Sequence, residues 1–222
     1  MLSLAMRQRQ REAQEAKAEH MPFSPDNAFA SLANAKKFCQ LQLCSLRLDL
    51  AQISKLKNYP EKAEFKRTLI DKYQHYLDGY LASGLEHPNE ILVYMVIWHF
   101  DTNQLFIAYK LAKMAIQQNQ PMPETFKRRD VTTFACDEVL RAMERKIEHS
   151  DIIFNLVLED LQNGTWDVIP EIKARYFKIA GTRAEENNQL DDALLYFEKA
   201  HNTWEKIGVK TKLEKLRNKL TK

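Results

Sequence analysis

Glycine and proline are scarce in these 222 residues: five of one and seven of the other, roughly half the share usual in globular chains. Parallel α/β folds and β-sandwiches spend turn residues at every connection, so the scarcity excludes both and favours long, uninterrupted helices. Cysteine is equally sparse. Cys39, Cys44 and Cys136 cannot all pair and none lies in a CxxC, which points to reduced thiols acting as small apolar groups. No long apolar run is present; the richest, ILVYMVIWHF from Ile91 to Phe100, is far shorter than the roughly 20 residues of a membrane span. The first 20 residues contain no apolar segment followed by a small-residue cleavage site, so no signal peptide and no membrane partner are expected. Catalytic signatures are missing as well. The chain carries no GxxxxGKS, GxSxG or HExxH, and no cofactor or metal site is expected. The acidic and histidine clusters on offer, Asp71/His75, His99/Asp101 and Glu159/Asp160, are too few for a metal-dependent nuclease centre.

Charge, by contrast, is plentiful and uneven. The net value is only +3, yet residues 1–74 carry net +5 and residues 206–222 net +6 around an acidic middle of net −8. Basic ends are suited to a polyanion, although solvated helix faces have the same composition.

Four segments are expected. Residues 1–30 read as a flexible basic and polar arm with no apolar stripe, containing Arg7, Arg9 and Arg11 and ending in a Pro/Ser-rich linker. Residues 31–87 read as an antiparallel hairpin of two long helices, one from Asn27 or Ser31 to about Asn58, the next starting with Pro60 as its first residue and stopping at Gly84. In the first helix Cys39, Leu43, Leu46, Leu50 and Ile53 recur by threes and fours, as in a heptad seam, and Leu41 and Leu48 form a second row. Two rows must both be buried, one within the domain and one against another subunit, so the seam is the candidate oligomerisation element. The hairpin is rich in Lys36, Lys37, Lys55, Lys57, Lys66 and Arg67, cations of the kind that neutralise phosphates.

Residues 88–205 read as a body of shorter helix pairs, near 89–100, 103–119, 131–147, 150–162, 170–188 and 190–206, followed by a basic C-terminal helix within 206–222. Gly181, Ala193, Phe197 and Ala200 have the spacing of tetratricopeptide packing positions, but Ala184 and Glu205 stand where that repeat has a large residue and a proline. Close helix packing is the simpler explanation. The C-terminal helix has a narrow stripe of Ile207, Val209, Leu213, Leu216 and Leu220 that suits either the body or a partner, and a chain ending at Gly208 is expected to fold. Asp101 or Thr102 is expected to cap the next helix, and Trp98 to anchor the core. Lys127, Arg128 and Arg129 form a basic loop beside Phe126. The fold expected is all-α: a long helical hairpin followed by repeat-like helix pairs.

The stretch from Glu90 to Met143 resembles the small terminase subunit (GpM) family of temperate, contractile-tailed bacteriophages. The resemblance rests on Trp98, Asp101, Thr102, Ala108, Ala112, Ala115, Met122, Pro123, Arg128, Phe134, Glu138 and Val139, and more loosely on Asp192 to Leu194 and Ala200. Asn103 replaces the usual glycine after the aspartate–threonine pair, and a left-handed turn remains open to it. The chain lacks the long basic tail of some relatives, which shifts the expected DNA contacts to its N-terminal half. The resemblance implies a ring-like homo-oligomer that binds viral double-stranded DNA and delivers it to the large terminase in the cytoplasm of the infected bacterial host. A nuclease in its own right and an adaptor binding only protein are the alternatives.

Overall fold

The structure, a computed structural model, describes residues 22–126 and 130–221. Among them are nine α-helices and no strand: α1 (Leu32–Lys55), α2 (Tyr59–Ser83), α3 (Glu90–Asp101), α4 (Leu105–Gln117), α5 (Val131–Glu144), α6 (Ser150–Gln162), α7 (Pro170–Glu186), α8 (Leu190–Thr203) and α9 (Lys210–Leu220). No helix among these residues is long and apolar enough to cross a membrane. The chain divides into two compact units, Met1–Lys127 and Arg128–Lys222.

In the first unit α1, α2 and α3 each start at a capping side chain. Ser31 accepts from the Asn34 amide, Asn58 from that of Glu61 and Asn89 from that of Leu92. Each satisfies an orphan donor of the opening turn. Pro60 is the second residue of α2 rather than the first, since Tyr59 already has helical geometry. Gly84 ends the same helix in the left-handed region at φ 63°. Helix α3 lies at the centre, with all ten residues from Ile91 to Phe100 buried beneath α1, α2 and α4. A helix apolar on every side must be enclosed on every side, which explains its lack of a polar face. Trp98 is 1% exposed and meets Tyr73 and Tyr94, with ring centroids 6.0 and 5.8 Å away, so it is the core anchor that was expected.

The two arms of the hairpin are joined by one buried acid. Asp49, the lone acid of α1, accepts from Tyr73 Oη and Lys72 Nζ, both at 2.6 Å. At the other end Phe29, Phe38 and Tyr76 form an aromatic cluster that closes over Gly79. Beyond α4, Gln120 takes the Asn89 amide on its side-chain oxygen and donates to the His87 carbonyl at 2.8 Å. This fastens the chain after α4 to the loop before α3.

In the second unit α7 and α8 make the closest helix pair. Gly181 allows it: a Cβ there would lie 2.9 Å from the Phe197 ring. Ala193 and Ala200 are fully buried in the same contact. Tyr176 stacks on Phe154 at 4.9 Å and donates to the Cys136 carbonyl, linking α5, α6 and α7. Burial raises the Tyr176 hydroxyl pKa well above the ordinary tyrosine value. The small and aromatic positions therefore serve packing, as the sequence suggested. The C-terminal stripe takes the first of its two options. Val209, Leu213 and Leu216 are buried against the unit's own body, and Lys178 holds the Ile207 carbonyl at 2.9 Å.

Candidate nucleic-acid interface

The cations of the hairpin fall into two groups set by helix geometry. Lys36 and Lys37 open α1, and Lys55 closes it 19 residues later, about 28 Å away at the helical rise. Both Lys36 and Lys37 are exposed, and the Lys37 ammonium lies 5.4 Å from the Phe23 ring centroid. The second group surrounds the turn between α1 and α2. Lys55 and Lys57 are exposed there, Lys62 is half-buried, and Arg67 is held to Glu64 at 2.5 Å on an exposed face. Lys66 differs. Its side chain is only 14% exposed and its ammonium lies 2.5 Å from Asp101. That charge is already neutralised inside the fold. Arg7, Arg9 and Arg11, and the loop Lys127, Arg128 and Arg129, lie outside the described residues.

The heptad seam is divided between two environments. Cys39 and Leu46 are buried in the unit's own core, and burial raises the Cys39 thiol. Leu43, Leu50 and Ile53 are half-buried at its edge. The opposite face of α1 presents Leu41 and Leu48, 53% and 68% exposed, with Cys44 and Ala51 in the same row.

The motif residues are structural. Asp101 binds Lys66, and Thr102 donates its hydroxyl back to the Trp98 carbonyl at 2.8 Å, so neither caps α4 as expected. Gln104 occupies the cap position without a side-chain capping bond, its amide donating instead to the Thr102 hydroxyl at 3.1 Å. Thr102 closes α3 instead, its hydroxyl turned back on that helix, while Asp101, the last residue of α3, reaches across to Lys66 of α2. Asn103 takes φ 61°, the left-handed conformation anticipated for it. Ala108, Ala112 and Ala115 are fully buried along α4, and Pro123, Phe134 and Val139 are buried. Met122 is half-buried, and Glu138 pairs with Arg141 at 2.5 Å.

Four residues of the same end escaped sequence reasoning: Tyr59, Phe106, Ile107 and Lys110. Tyr59 is 51% exposed, and its hydroxyl donates to the Asp101 carbonyl at 2.8 Å, which brings the start of α2 to the turn before α4. Phe106 and Ile107 are 47% and 46% exposed in the first turn of α4, and Lys110 is exposed one turn on. The signal in the sequence was that Phe106 and Ile107 fall outside the inward row Leu105, Ala108, Leu111, Ala112 and Ala115.

Acid–histidine chemistry is not assembled. His99 is buried in the core, which lowers its pKa to about 4, while the Gln104 side chain partly offsets the effect. Asp71 and His75 are exposed on α2, and the neighbours Glu159 and Asp160 point to different sides of α6, one exposed and one buried. Among the described residues no group of three or more His, Cys, Asp and Glu side chains could hold a metal ion.

Residues 43–168 match the family described as phage small terminase subunit. A protein of Escherichia phage P2 named "Terminase, endonuclease subunit" is 26% identical over 192 residues, covering 86% of this chain and 77% of that protein. A second, from Haemophilus phage HP1 and named "Probable terminase, endonuclease subunit", is 23% identical, covering 77% of this chain and 66% of that protein. No solved structure matches. The family match covers more than half of the chain, so the chain belongs to the phage small terminase subunit family and is a terminase component of phage DNA packaging.

Proposed function

We propose that this chain is the DNA-recognition subunit of the terminase. It binds viral double-stranded DNA and delivers it to the large terminase, which supplies the motor, in the cytoplasm of the infected host. The observation that supports this reading, beside family membership, is the charge balance at the α1–α2 turn. The acids Asp101 and Glu64 are each taken up by a cation, Lys66 and Arg67, and the exposed Glu61 offsets one further charge, so Lys55, Lys57 and Lys62 leave a cationic excess there for an external anion. Phosphate contacts by such side chains fix position on the duplex and make affinity salt-dependent.

Self-association follows from the outer face of α1. Leu41, Cys44, Leu48 and Ala51 keep heptad spacing, and Lys37 and Lys55 continue the same row at its two ends. A second copy packed on this row buries the leucines, and many copies around a ring multiply weak DNA contacts through effective concentration. The ring therefore closes through Leu41 and Leu48, with half-buried Leu43, Leu50 and Ile53 at the margin.

Titration of the full chain with a fluorescent duplex at several salt concentrations tests the reading. Binding that weakens steeply with salt supports it. Absence of binding at low salt, with the chain folded, contradicts it.

A further inference from the structure

The turn end of the first unit combines features that phosphate binding alone does not require. Tyr59, Phe106 and Ile107 each leave about half of their surface in water, although the same helices bury neighbouring apolar groups completely. They are not scattered. The Tyr59 hydroxyl reaches the Asp101 carbonyl at 2.8 Å, and α4 begins four residues after Asp101, so the starts of α2 and α4 share one end of the unit. Cations flank these residues along the chain: Lys55 and Lys57 in the hairpin turn before Tyr59, Lys62 one turn into α2 and Lys110 one turn beyond Phe106. The acids of the same end are largely spoken for, with Asp101 on Lys66 and Glu64 on Arg67. Glu61 accepts from the neutral Asn58 side chain and keeps its charge, but the cations of this end still outnumber its acids.

We propose that Phe106 and Ile107, with Tyr59 beside them, make apolar contact with base steps of duplex DNA while the surrounding lysines hold its phosphates. The surface would then favour DNA that is bent or locally unstacked. This rests on the DNA-binding reading above and adds to it a preference that phosphate contacts cannot give. The positive surround selects a polyanion over a protein surface of mixed charge. Aromatic and aliphatic side chains exposed between cations are the means by which proteins open a base step and kink a duplex. Flat rings also gain from stacking on any base, so the contact needs no sequence code. The deformability of the step then becomes the quantity that is read, and flexible pyrimidine–purine steps are preferred.

The test uses the full chain and two short duplexes carrying a donor and acceptor dye at their ends. One has a central run of TA steps, the other a stiff A-tract. The wild-type chain should bind the flexible duplex more tightly and shorten its end-to-end distance. Phe106→Ser with Ile107→Ser, checked for helical content, should lose about tenfold in affinity for the flexible duplex. It should also lose the shortening, yet keep the salt slope of the wild type. Phe106→Gln alone serves if the double variant folds poorly, and should give part of the same loss. Lys55→Ala with Lys57→Ala should instead flatten the salt slope and keep the preference for the flexible duplex. A double serine variant that bends and binds both duplexes like the wild type overturns the proposal. So does one that loses only self-association or large-terminase binding, since that would make the patch a protein contact. A wild-type chain that binds neither duplex at low salt is a separate result, because it removes the DNA-binding reading itself.

Discussion

The Lys66 ammonium and the Asp101 carboxylate meet at 2.5 Å, joining the second arm of the hairpin to the end of the central helix. Both side chains are mostly covered, at 14% and 23% exposure, so the pair is screened less than a surface bridge and holds α2 against the turn that leads into α4. Removing one partner strands the other in a poorly hydrated site. Lys66→Met should lower stability by about 1–2 kcal/mol, allowing for partial exposure. Asp101→Asn should do much the same, and the double change should cost less than the two single losses added together. Urea denaturation of the four chains measures this. Additive losses would show that the two charges do not act on each other.

A pH dependence follows from His99. Its pKa is about 4 in the folded chain, against 6.5 for an ordinary histidine. Between these values the unfolded chain binds a proton that the folded chain refuses, so stability falls as the pH drops through 6.5 and levels off near 4. From pH 7.5 to pH 5 the loss should be about 2 kcal/mol, the size expected of a buried imidazole with this shift. His99→Leu should flatten that dependence. Parallel curves for the two chains, from urea midpoints across the range, would assign the effect to other groups.

Two glycines should respond differently to the same substitution. A Cβ at Gly181 meets Phe197, whose ring is fully buried and cannot give way, so Gly181→Ala should destabilise by about 1–2 kcal/mol despite better helix propensity. At Gly79 a Cβ would press still closer on the Phe29 ring edge, but Phe29 is only partly buried, so its ring can yield more readily than that of Phe197. Gly79→Ala should be near neutral. Equal thermal shifts for the two variants would contradict this ranking.

A chain ending at Gly208 was expected from its sequence to fold. The structure gives α9 a larger part, because Leu213 and Leu216 are buried and Lys212 bonds to Glu185 while its ammonium lies 4.9 Å from the Phe197 ring centroid. Truncation should cost on the order of 3–6 kcal/mol through the apolar burial it removes. A lower melting temperature by circular dichroism checks it, and an unchanged one would mean that α9 is dispensable to the unit.

The outer row of α1 makes a prediction about assembly. Leu41→Glu with Leu48→Glu should give monomers by light scattering and leave the helical signal intact. The same change at half-buried Leu43 and Leu50 should instead lower stability. A fully oligomeric Leu41/Leu48 variant would move the interface off this helix.

Helix positions were legible because their signals are local. Ser31, Asn58, Asn89 and Gly84 mark ends through their own chemistry, and the ten-residue apolar run at Ile91 could be nothing but an enclosed segment. What each face meets is not local. Periodicity placed Cys39 and Leu46 in one row with Leu43 and Leu50, but which row turns inward depends on where α3 lies. Lys66 resembles Lys57 in sequence, and only the fold brings Asp101 to it across 35 residues. Phe106 and Ile107 escaped notice for the converse reason, since apolar residues in a helix are read as core until the opposite face is seen to be the buried one.

Above all, the turn end of the first unit is proposed to hold DNA phosphates. The most direct measurement compares the salt dependence of duplex binding in the wild-type chain and in one with Lys55, Lys57 and Lys62 changed to Ala. Removing one phosphate-binding cation should reduce the slope of log affinity against log salt by about 0.9 per subunit engaged. The expected result is a clearly flatter slope and weaker binding at low salt, with Lys66→Met leaving the slope unchanged. A triple variant with the wild-type slope would contradict it and place the phosphate contacts elsewhere on the chain.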